Sequence, residues 1–252
     1  MSLTIRVPIY EATSSLVARA LLSARAYCIE TSRDRSRWLE WKSGILAPVY
    51  LNCRDLFGHP GQRSTVVQAL ASAILSAYPK VSHIVGVADA GIVWGSGAAN
   101  TLGLPFAYVS KMPKKHGKPG LVVGIPDDES GESINAVIVD DLIASGGSLE
   151  TTIEALATEH QIRPIGIQSI VHWDFQKAHS RFERLNVQVS ALVSYPHLLE
   201  SAFESGLLSD SAVAVLTDFY RNPFEYVWDE AALVSLSSEI SPRRVTRNAV
   251  AS

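Results

Sequence analysis

The stretch Val137-Ile-Val-Asp-Asp-Leu-Ile-Ala-Ser-Gly-Gly-Ser-Leu-Glu150 decides the fold class of this chain. Residues 136–139 form an apolar, mostly β-branched run, which is typical of a strand covered on both faces of a sheet. The acid pair, Asp140 and Asp141, stands at the carboxyl end of that run, and five small residues then lead into a helical pattern. A strand, a turn and a helix in this order predict one βα unit of a parallel sheet, and open parallel sheets bind ligands at this end of their strands.

The small residues after the acid pair have the composition of a phosphate-binding loop. They are Ala144, Ser145, Gly146, Gly147 and Ser148. Because they have little or no side chain, their backbone N–H groups can converge on a phosphate at the N-terminus of the following helix, for which Ser148 is the expected N-cap. Carboxylates repel phosphate but accept hydrogen bonds from ribose hydroxyls, so the two features together predict a ribose 5-phosphate site. The alternative is an ordinary βα turn.

The composition excludes several classes of protein. With 252 residues, 47% of them hydrophobic and 19% charged, and a net charge of −3, the chain suits one large domain or a domain with a small appendage, without a broad nucleic-acid-binding signature. Cys28 and Cys53 are too few for a disulfide scaffold and lack zinc-type spacing, so we expect two buried, reduced thiols. Residues 1–15 lack a leader-like pattern, and no apolar run reaches membrane-spanning length, which predicts a cytoplasmic protein without a membrane partner.

Helical and strand patterns alternate along the middle of the chain. After an N-terminal helix at 16–26 and short β-like pieces between 28 and 51, the pattern predicts helices at 64–77, 92–102 and 149–159, and strands at 83–87, 106–109, 136–139, 165–171 and 187–193. Further helices are expected at 198–205, 210–220 and 229–236. The alternation predicts an α/β fold with a central, mostly parallel sheet flanked by helices. The long segment between residues 109 and 135 is expected to be a lid or a disordered loop.

Three segments are expected to meet at the carboxyl ends of neighbouring strands. They are Ala88-Asp-Ala-Gly-Ile92, the lid segment Lys111-Met-Pro-Lys-Lys-His-Gly117, and the acid pair with its loop. Ala90 and Gly91 precede a helix and offer backbone N–H groups to a second anion. The cationic groups of the lid could neutralise a leaving pyrophosphate while the lid excludes water, although a solvated lysine-rich loop is the alternative.

These motifs resemble those of the type I phosphoribosyltransferases, whose signature is an apolar strand, two acids and a small-residue loop. Within them, the chain resembles the orotate phosphoribosyltransferases through Trp41-Lys-Ser-Gly44, Pro48-Val-Tyr-Leu-Asn52, Ala90-Gly-Ile92, Leu104-Pro-Phe-Ala-Tyr-Val109, Lys114-Lys-His-Gly117, Tyr195-Pro-His-Leu-Leu199 and Tyr220-Arg-Asn-Pro223. The resemblance implies the type I phosphoribosyltransferase fold, with an N-terminal helix and small hood in residues 1–60, a core in 61–195, added C-terminal helices in 196–240 and a flexible tail in 241–252.

The resemblance also implies a reaction. Orotate and 5-phosphoribosyl 1-diphosphate (PRPP) would give orotidine 5′-phosphate and pyrophosphate, with Mg²⁺ as cofactor, in pyrimidine (UMP) biosynthesis. Family members work as dimers in which the lid crosses into the partner's site, so a homodimer is implied. The alternatives are a phosphoribosyltransferase for another nucleobase and a non-catalytic regulator that senses PRPP.

Roles for single residues are implied by position. Residues 144–148 would hold the 5′-phosphate, and the acid pair would hold the ribose hydroxyls and meet the metal through water and substrate. Asp89, Ala90 and Lys111 would bind the pyrophosphate, and Gly91 and Lys115 would add phosphate contacts. Lys114 and His116 would close over the reacting centre, where they and the acid pair would be the catalytic residues. Lys42, Tyr50 and Leu51 would contact the base.

Three positions depart from the orotate pattern. Ser110 stands where family members have an arginine that opens the lid, and Ala144 replaces the hydroxyl residue that usually follows the acid pair. His172 and Trp173 stand where the family places an arginine that grips orotate, and histidine cannot reproduce the paired donors of a guanidinium. His172 is therefore expected either to read another base or to cap a strand end while Trp173 packs under the C-terminal helices.

Overall fold

The alternation predicted from the sequence is present in the structure, a computed structural model that describes residues 11–29, 39–41, 46–112, 120–125, 134–221 and 223. The elements, in chain order, are α1 (Glu11–Ser23), β1 (Tyr27–Ile29), β2 (Leu39–Glu40), β3 (Leu46–Ala47), β4 (Val49–Leu51), a 3-10 helix (Cys53–Gly58), α2 (Pro60–Ala77), β5 (His83–Val87), α3 (Ala90–Leu102), β6 (Phe106–Val109), β7 (Val122–Val123), β8 (Ala136–Ile143), α4 (Gly147–His160), β9 (Gly166–His172), α5 (Gln176–Leu185), β10 (Val189–Ser194), α6 (Tyr195–Glu204) and α7 (Asp210–Arg221).

Six of these strands form one sheet in the order β10-β9-β8-β5-β6-β7. All neighbouring pairs are parallel except β6 with β7, which is antiparallel. This confirms the predicted α/β fold with a mostly parallel sheet. The strand order reverses between β8 and β5, and the crevice at the carboxyl ends of such strands is where open α/β sheets bind ligands.

Helices cover both faces of the sheet because its central strands are apolar on both sides. Along β8, Val137 and Val139 belong to the core formed with α1, α2, α3, α6 and α7, whereas Ala136 and Ile138 belong to the core formed with α4 and α5. Full burial of a valine or isoleucine side chain stabilises the fold by roughly 1.5–3 kcal/mol. The strand that carries the acid pair is therefore fixed from both sides.

The start of α3 lies directly on β5 and β8. A Cβ atom on Gly91 would come within 2.5 Å of the carbonyl oxygen of Val139, and one on Gly86 would come within 2.5 Å of the carbonyl oxygen of Gly91. Only glycine allows a helix to approach the strands so closely. The N-terminus of α3 is consequently held beside the acid pair.

The hood, which comprises the described residues between Tyr27 and Gly58, is fastened to the same end of the sheet. It contains two short antiparallel ladders, β1 with β4 and β2 with β3. The buried thiol of Cys53 donates to the carbonyl oxygen of Asp141 at 3.8 Å. Cys53 is buried as predicted, but Cys28 is only partly buried because it lies on the short β1–β4 ladder.

The acid pair lies inside a strand rather than after one. Pairing with β9 continues beyond the predicted end of β8, since Asp140 is opposite Ser169 and Leu142 is opposite Val171. Two helical predictions also need correction. The N-terminal helix ends at Ser23 rather than at residue 26. Arg25, just beyond it, has a left-handed φ of 52°, which does not continue a helix. Helix α5 is not predicted, because only two of its ten residues are buried and its sequence is mostly polar.

Several predictions fall outside the described residues. They concern the helix at 229–236, the tail at 241–252, Lys42, and the lid residues Lys114, Lys115 and His116. Within the described ranges, no helix combines the length and the apolar character that crossing a lipid bilayer requires.

Candidate active site

Two adjoining cavities lie at the carboxyl ends of β5 and β8. The loop cavity, of about 470 Å³, is lined by residues 144–148 together with Leu51, Asn52, Thr151 and Trp173. The acid cavity, of about 610 Å³, is lined by Asp140 and by Val87, Ala88, Asp89, Ala90 and Lys111. Six residues line both cavities, namely Trp41, Tyr50, Arg54, Asp141, Leu142 and Ser148. The fold thus brings together segments that the sequence predicts to meet.

The phosphate-binding loop is shaped by Gly146. This residue has a φ of 75° and is the N-cap of α4, so the prediction that Ser148 caps the helix is wrong. Ser148 is instead the second residue of the helix, because the left-handed glycine lets the helix begin at Gly147. A Cβ atom on Gly146 would come within 2.6 Å of the ζ carbon of Phe182. The first turn of α4 carries backbone N–H groups without intrahelical partners at the loop cavity, which suits an anion.

Arg181 of α5 supports this loop from behind. Its guanidinium contacts the carbonyl oxygen of Ser145, and its Nε donates to Oε2 of Glu150 at 2.7 Å. A trans peptide is planar, so holding the carbonyl of Ser145 also fixes the N–H of Gly146, which points away from Arg181. Sequence reasoning missed Arg181 because it missed α5.

The acid pair reaches the cavities although it lies within β8. Asp140 is buried, Asp141 is half-buried, and the N–H of Asp141 donates to Oδ1 of Asp140 at 2.9 Å. Burial and the neighbouring carboxylate of Asp141 raise the pKa of Asp140 well above its usual range, and burial also raises the pKa of Asp141. Groups with these perturbations favour partners that donate hydrogen bonds or carry positive charge, as sugar hydroxyls and hydrated cations do.

The end of β5 supplies the opposite wall of the acid cavity. Asp89 forms an ion pair with Lys111, and Ala90 begins α3. These three predicted phosphate-binding residues line the acid cavity. Gly91 does not line it, and a Cβ atom added to Gly91 would meet the carbonyl oxygen of Val139.

Aromatic side chains form the hood side of the two cavities. The indole N–H of Trp41 donates to the carbonyl oxygen of Val49 at 3.0 Å, and the Trp41 ring lies 4.5 Å from that of Trp173. Trp173 in turn stacks on Tyr195 at 4.1 Å. The predicted base contacts Tyr50 and Leu51 follow on β4, where Tyr50 is exposed and Leu51 is buried by the alternation of the strand. Trp41 and Trp173 therefore line the loop cavity as members of a buried aromatic cluster.

His172 lies away from both cavities. Its side chain is fully buried, and Nδ1 accepts a hydrogen bond from the N–H of Asp174 at 2.6 Å. Burial lowers the pKa of His172 to about 4, so the ring is neutral near pH 7. Of the two alternatives for this residue, the structure favours the strand-end cap, and Trp173 rather than His172 lines the loop cavity.

Arg54 is the main site residue that the sequence analysis did not identify. It lies on the 3-10 helix after β4 and lines both cavities. Its positive charge acts to lower the pKa of Asp140 and Asp141, against the effect of burial. Its position directly after the segment Pro48-Val-Tyr-Leu-Asn52 was the available signal. Nothing in its spacing predicts contact with β8, because that contact depends on how the hood folds over the sheet.

The carboxylates at the acid cavity fit a cation only in part. Among the residues that the structure describes, no group of three or more His, Cys, Asp or Glu side chains could enclose a metal ion. Mg²⁺ usually takes one or two carboxylates and completes its coordination with water and substrate phosphates. Asp140 and Asp141 suit a site of this kind, in which water and substrate complete the coordination of the ion.

Comparisons with known proteins agree with this geometry. Residues 61–189 match the phosphoribosyl transferase domain family. The orotate phosphoribosyltransferase of Fusobacterium nucleatum is 32% identical over 206 residues, which are 82% of this chain and 94% of that protein. The orotate phosphoribosyltransferase of Lactococcus lactis is 32% identical over 209 residues, which are 83% of this chain and 96% of that protein.

Solved structures share the fold. The UMP synthase of Leishmania donovani is similar with a TM-score of 0.68 and 23% identity, over 83% of this chain and 42% of that one. The orotate phosphoribosyltransferase of Aeropyrum pernix is similar with a TM-score of 0.61 and 22% identity, over 74% of this chain and 99% of that one. The family match and the two sequence relatives, of which the chain covers 94% and 96%, establish that the chain belongs to the orotate phosphoribosyltransferase family of type I phosphoribosyltransferases.

Proposed function

We propose that this protein is a pentosyltransferase that moves the 5-phosphoribosyl group of PRPP to orotate, giving orotidine 5′-phosphate and pyrophosphate in pyrimidine biosynthesis. The observation that carries the proposal is the order of groups along the two cavities: the loop of residues 144–148, then the acid pair, then Asp89 with Lys111. This order matches the 5′-phosphate, the ribose hydroxyls and the diphosphate of PRPP. The relatives named for this activity support orotate as the acceptor.

In the proposed reaction, the bond between C1 of the ribose and the diphosphate oxygen breaks, and its electron pair leaves with pyrophosphate. A new bond forms between the same carbon and a ring nitrogen of orotate. Asp140 and Asp141 accept hydrogen bonds from the ribose hydroxyls and hold the sugar while its ring acquires positive charge. Lys111 stabilises the negative charge of the leaving group. The proton of that ring nitrogen leaves as the new bond forms and passes to water or to the departing pyrophosphate, so no strong protein base is required.

Mg²⁺ is the proposed cofactor. When bound with the diphosphate, it supplies positive charge to the leaving pyrophosphate. Asp140 and Asp141 would hold it through water and the sugar hydroxyls, as the donor set allows. Calorimetric titration of PRPP into the protein with and without Mg²⁺ checks this part, and equal affinity in both titrations contradicts it.

A homodimer with a shared lid is also proposed, with Lys114 and His116 closing over the partner's site and Lys115 contacting its phosphates. Mixing a Lys114→Ala chain with an Asp140→Asn/Asp141→Asn chain tests it. If the lid crosses between subunits, mixed dimers contain one site with an intact lid and an intact acid pair, so activity returns. If each lid serves its own subunit, the mixture stays inactive. Light scattering measures the assembly state directly.

A cytoplasmic location is part of the same proposal, without a nucleic-acid or membrane partner. The buried thiol of Cys53 suits a reducing compartment. Fractionation of cells that produce the chain, followed by immunodetection, checks the location.

The activity is tested with the purified chain, Mg²⁺, PRPP and a panel of acceptors: orotate, uracil, nicotinate, adenine and hypoxanthine. We expect pyrophosphate to be released with orotate and with none of the other four bases. Release with another base and not with orotate supports the second candidate, a phosphoribosyltransferase for that base, which the absence of an arginine directly after β9 motivates. Binding of PRPP without release for any base supports a PRPP-sensing regulator.

A further inference from the structure

Arg54 lies where the loop cavity and the acid cavity meet. It lines both cavities, as do its neighbours Trp41, Tyr50 and Asp141. The reacting carbon of a phosphoribosyl donor lies between its 5′-phosphate and its diphosphate. An acceptor base must therefore approach near the surface that the two cavities share.

The position of Arg54 is fixed by the backbone that carries it. The N–H of Asn52 donates to the carbonyl oxygen of Ala26 at 2.9 Å, and Cys53 anchors the 3-10 helix to the carbonyl oxygen of Asp141. Arg54 follows directly and is exposed. Among the described residues, none forms a hydrogen bond or an ion pair with its guanidinium, and its place in the lining of both cavities makes the group accessible to a ligand.

Positive charge is scarce at this site. Of the described residues that line the two cavities, Arg54 and Lys111 are the only lysines or arginines. Lys111 is already in an ion pair with Asp89, and it lines the acid cavity but not the loop cavity. Arg54 is thus the cation available beside the acceptor position.

The surroundings of Arg54 suit a flat ligand. Trp41 belongs to the lining of both cavities and uses its only hydrogen-bond donor on Val49, so it adds apolar ring surface and no polar group. Tyr50 adds a second aromatic side chain that is partly exposed. A planar ring placed against these aromatic side chains would bring a carboxylate substituent to the guanidinium, whose fork matches a carboxylate with two parallel hydrogen bonds.

We propose that Arg54 determines the specificity for the base by binding the carboxylate of the pyrimidine acceptor while Trp41 and Tyr50 cover its ring. This inference rests on the proposed function and adds the residue that distinguishes orotate from uracil. It assigns to the hood a recognition role that in other members is expected after β9, where this chain has the buried His172.

The test compares the binding of two nucleotides that differ only in this carboxylate, orotidine 5′-phosphate and uridine 5′-monophosphate. Titration calorimetry is run on the wild-type chain, on Arg54→Gln, on Arg54→Lys and on the control Arg19→Gln, which changes an exposed arginine of α1. We expect Arg54→Gln to weaken orotidine 5′-phosphate binding roughly 10- to 100-fold and to leave uridine 5′-monophosphate binding within about 3-fold. Arg54→Lys restores only part of the loss, since it keeps the charge without the fork.

Equal losses for both nucleotides in Arg54→Gln, or no loss for either, overturn the inference. Orotate turnover by the wild-type chain is measured separately and bears on the proposed function alone. If the wild-type chain turns over orotate but Arg54→Gln distinguishes the two nucleotides as well as the wild type does, the role of Arg54 is refuted and the proposed function stands. Discrimination that depends on Arg54 without any turnover supports the role of Arg54 and refutes the function.

Discussion

The Nε of Arg181 donates a hydrogen bond to Oε2 of Glu150 at 2.7 Å, and this contact joins α5 to the first turn of α4. The same guanidinium contacts the carbonyl oxygen of Ser145. The side chain of Arg181 is only 18% exposed, so the pair is better shielded from water than a surface ion pair. One arginine thereby positions the proposed phosphate loop without lining either cavity.

Replacing Arg181 with methionine is expected to raise the Michaelis constant for PRPP several-fold with a smaller effect on that for orotate. The reason is that the Ser145 carbonyl loses its donor and the loop is no longer held in one conformation. Steady-state kinetics with each substrate varied measures the change. Arg184→Met is the matched control, because Arg184 is 67% exposed and 3.8 Å from Glu150. Equal kinetics for the two variants would refute a positioning role for Arg181.

Gly146→Ala is expected to destabilise the protein by roughly 1–3 kcal/mol, because the added methyl group overlaps Phe182 and the backbone has a positive φ. Gly147→Ala is the control, since a Cβ atom there meets nothing within 4 Å and the residue has helical geometry. Chemical denaturation measures the free energy of unfolding of both variants. Equal stability of Gly146→Ala and the wild type contradicts the close packing of Gly146 against Phe182.

Asp140→Asn is expected to stabilise the protein while reducing its activity at least about 10-fold. The wild-type carboxylate is buried beside Asp141, which is unfavourable in the absence of a ligand, and an asparagine can still accept the hydrogen bond from the N–H of Asp141. Each kcal/mol gained should raise Tm by about 2–4 °C. Asp89→Asn is the control for stability, because Asp89 is 59% exposed and its ion pair with Lys111 contributes little. A fall in Tm for Asp140→Asn contradicts this reasoning.

His172→Asn is expected to remove an acid-dependent loss of stability. Burial lowers the pKa of His172 to about 4 from 6.5, so the unfolded chain takes up a proton at a higher pH than the folded protein. The stability contributed by the neutral ring is present above about pH 6.5 and is lost as the pH falls towards 4, by up to about 3 kcal/mol. Nearby Asp174 moderates the shift, whereas His179 adds to it.

Urea denaturation at about pH 7 and about pH 5 gives the loss in the free energy of unfolding on acidification, and this loss is compared between the wild type and His172→Asn. The variant should be less sensitive to acid, since its amide oxygen can still accept from Asp174 and does not titrate. Identical pH dependence in both proteins would show that His172 is not buried as a neutral ring. If His172→Asn also changes the Michaelis constant for the base, the alternative role of reading the base regains support.

The sheet could be predicted from the sequence where local patterns agree with tertiary structure. Strands β5 and β6 have the predicted bounds because short apolar runs are delimited there by turn residues. The extension of β8 through the acid pair could not be predicted, because it depends on pairing with β9, a strand some distance along the chain. Helix α5 was not predicted because its sequence is mostly polar. Only Ala178 and Phe182 are buried, and two apolar positions are too few to give a helical pattern.

The candidate site was predictable to the extent that its groups lie on continuous motifs. The loop and the acid pair occupy one stretch of sequence, so their proximity follows from chain order. Arg54 and Arg181 lie far from that stretch in the chain and reach it only through the packing of the hood and of α5. Contacts of this kind have no local signature.

The measurement that tests the central claim most directly is the identification of the product formed from orotate and PRPP. The full chain is incubated with both substrates and Mg²⁺, and the nucleotide fraction is analysed by mass spectrometry alongside the Asp140→Asn/Asp141→Asn variant. We expect orotidine 5′-phosphate, with an equal amount of pyrophosphate, from the wild type and at most a trace from the variant. Absence of orotidine 5′-phosphate with the wild-type chain, under conditions in which PRPP binding is demonstrated, would contradict the account.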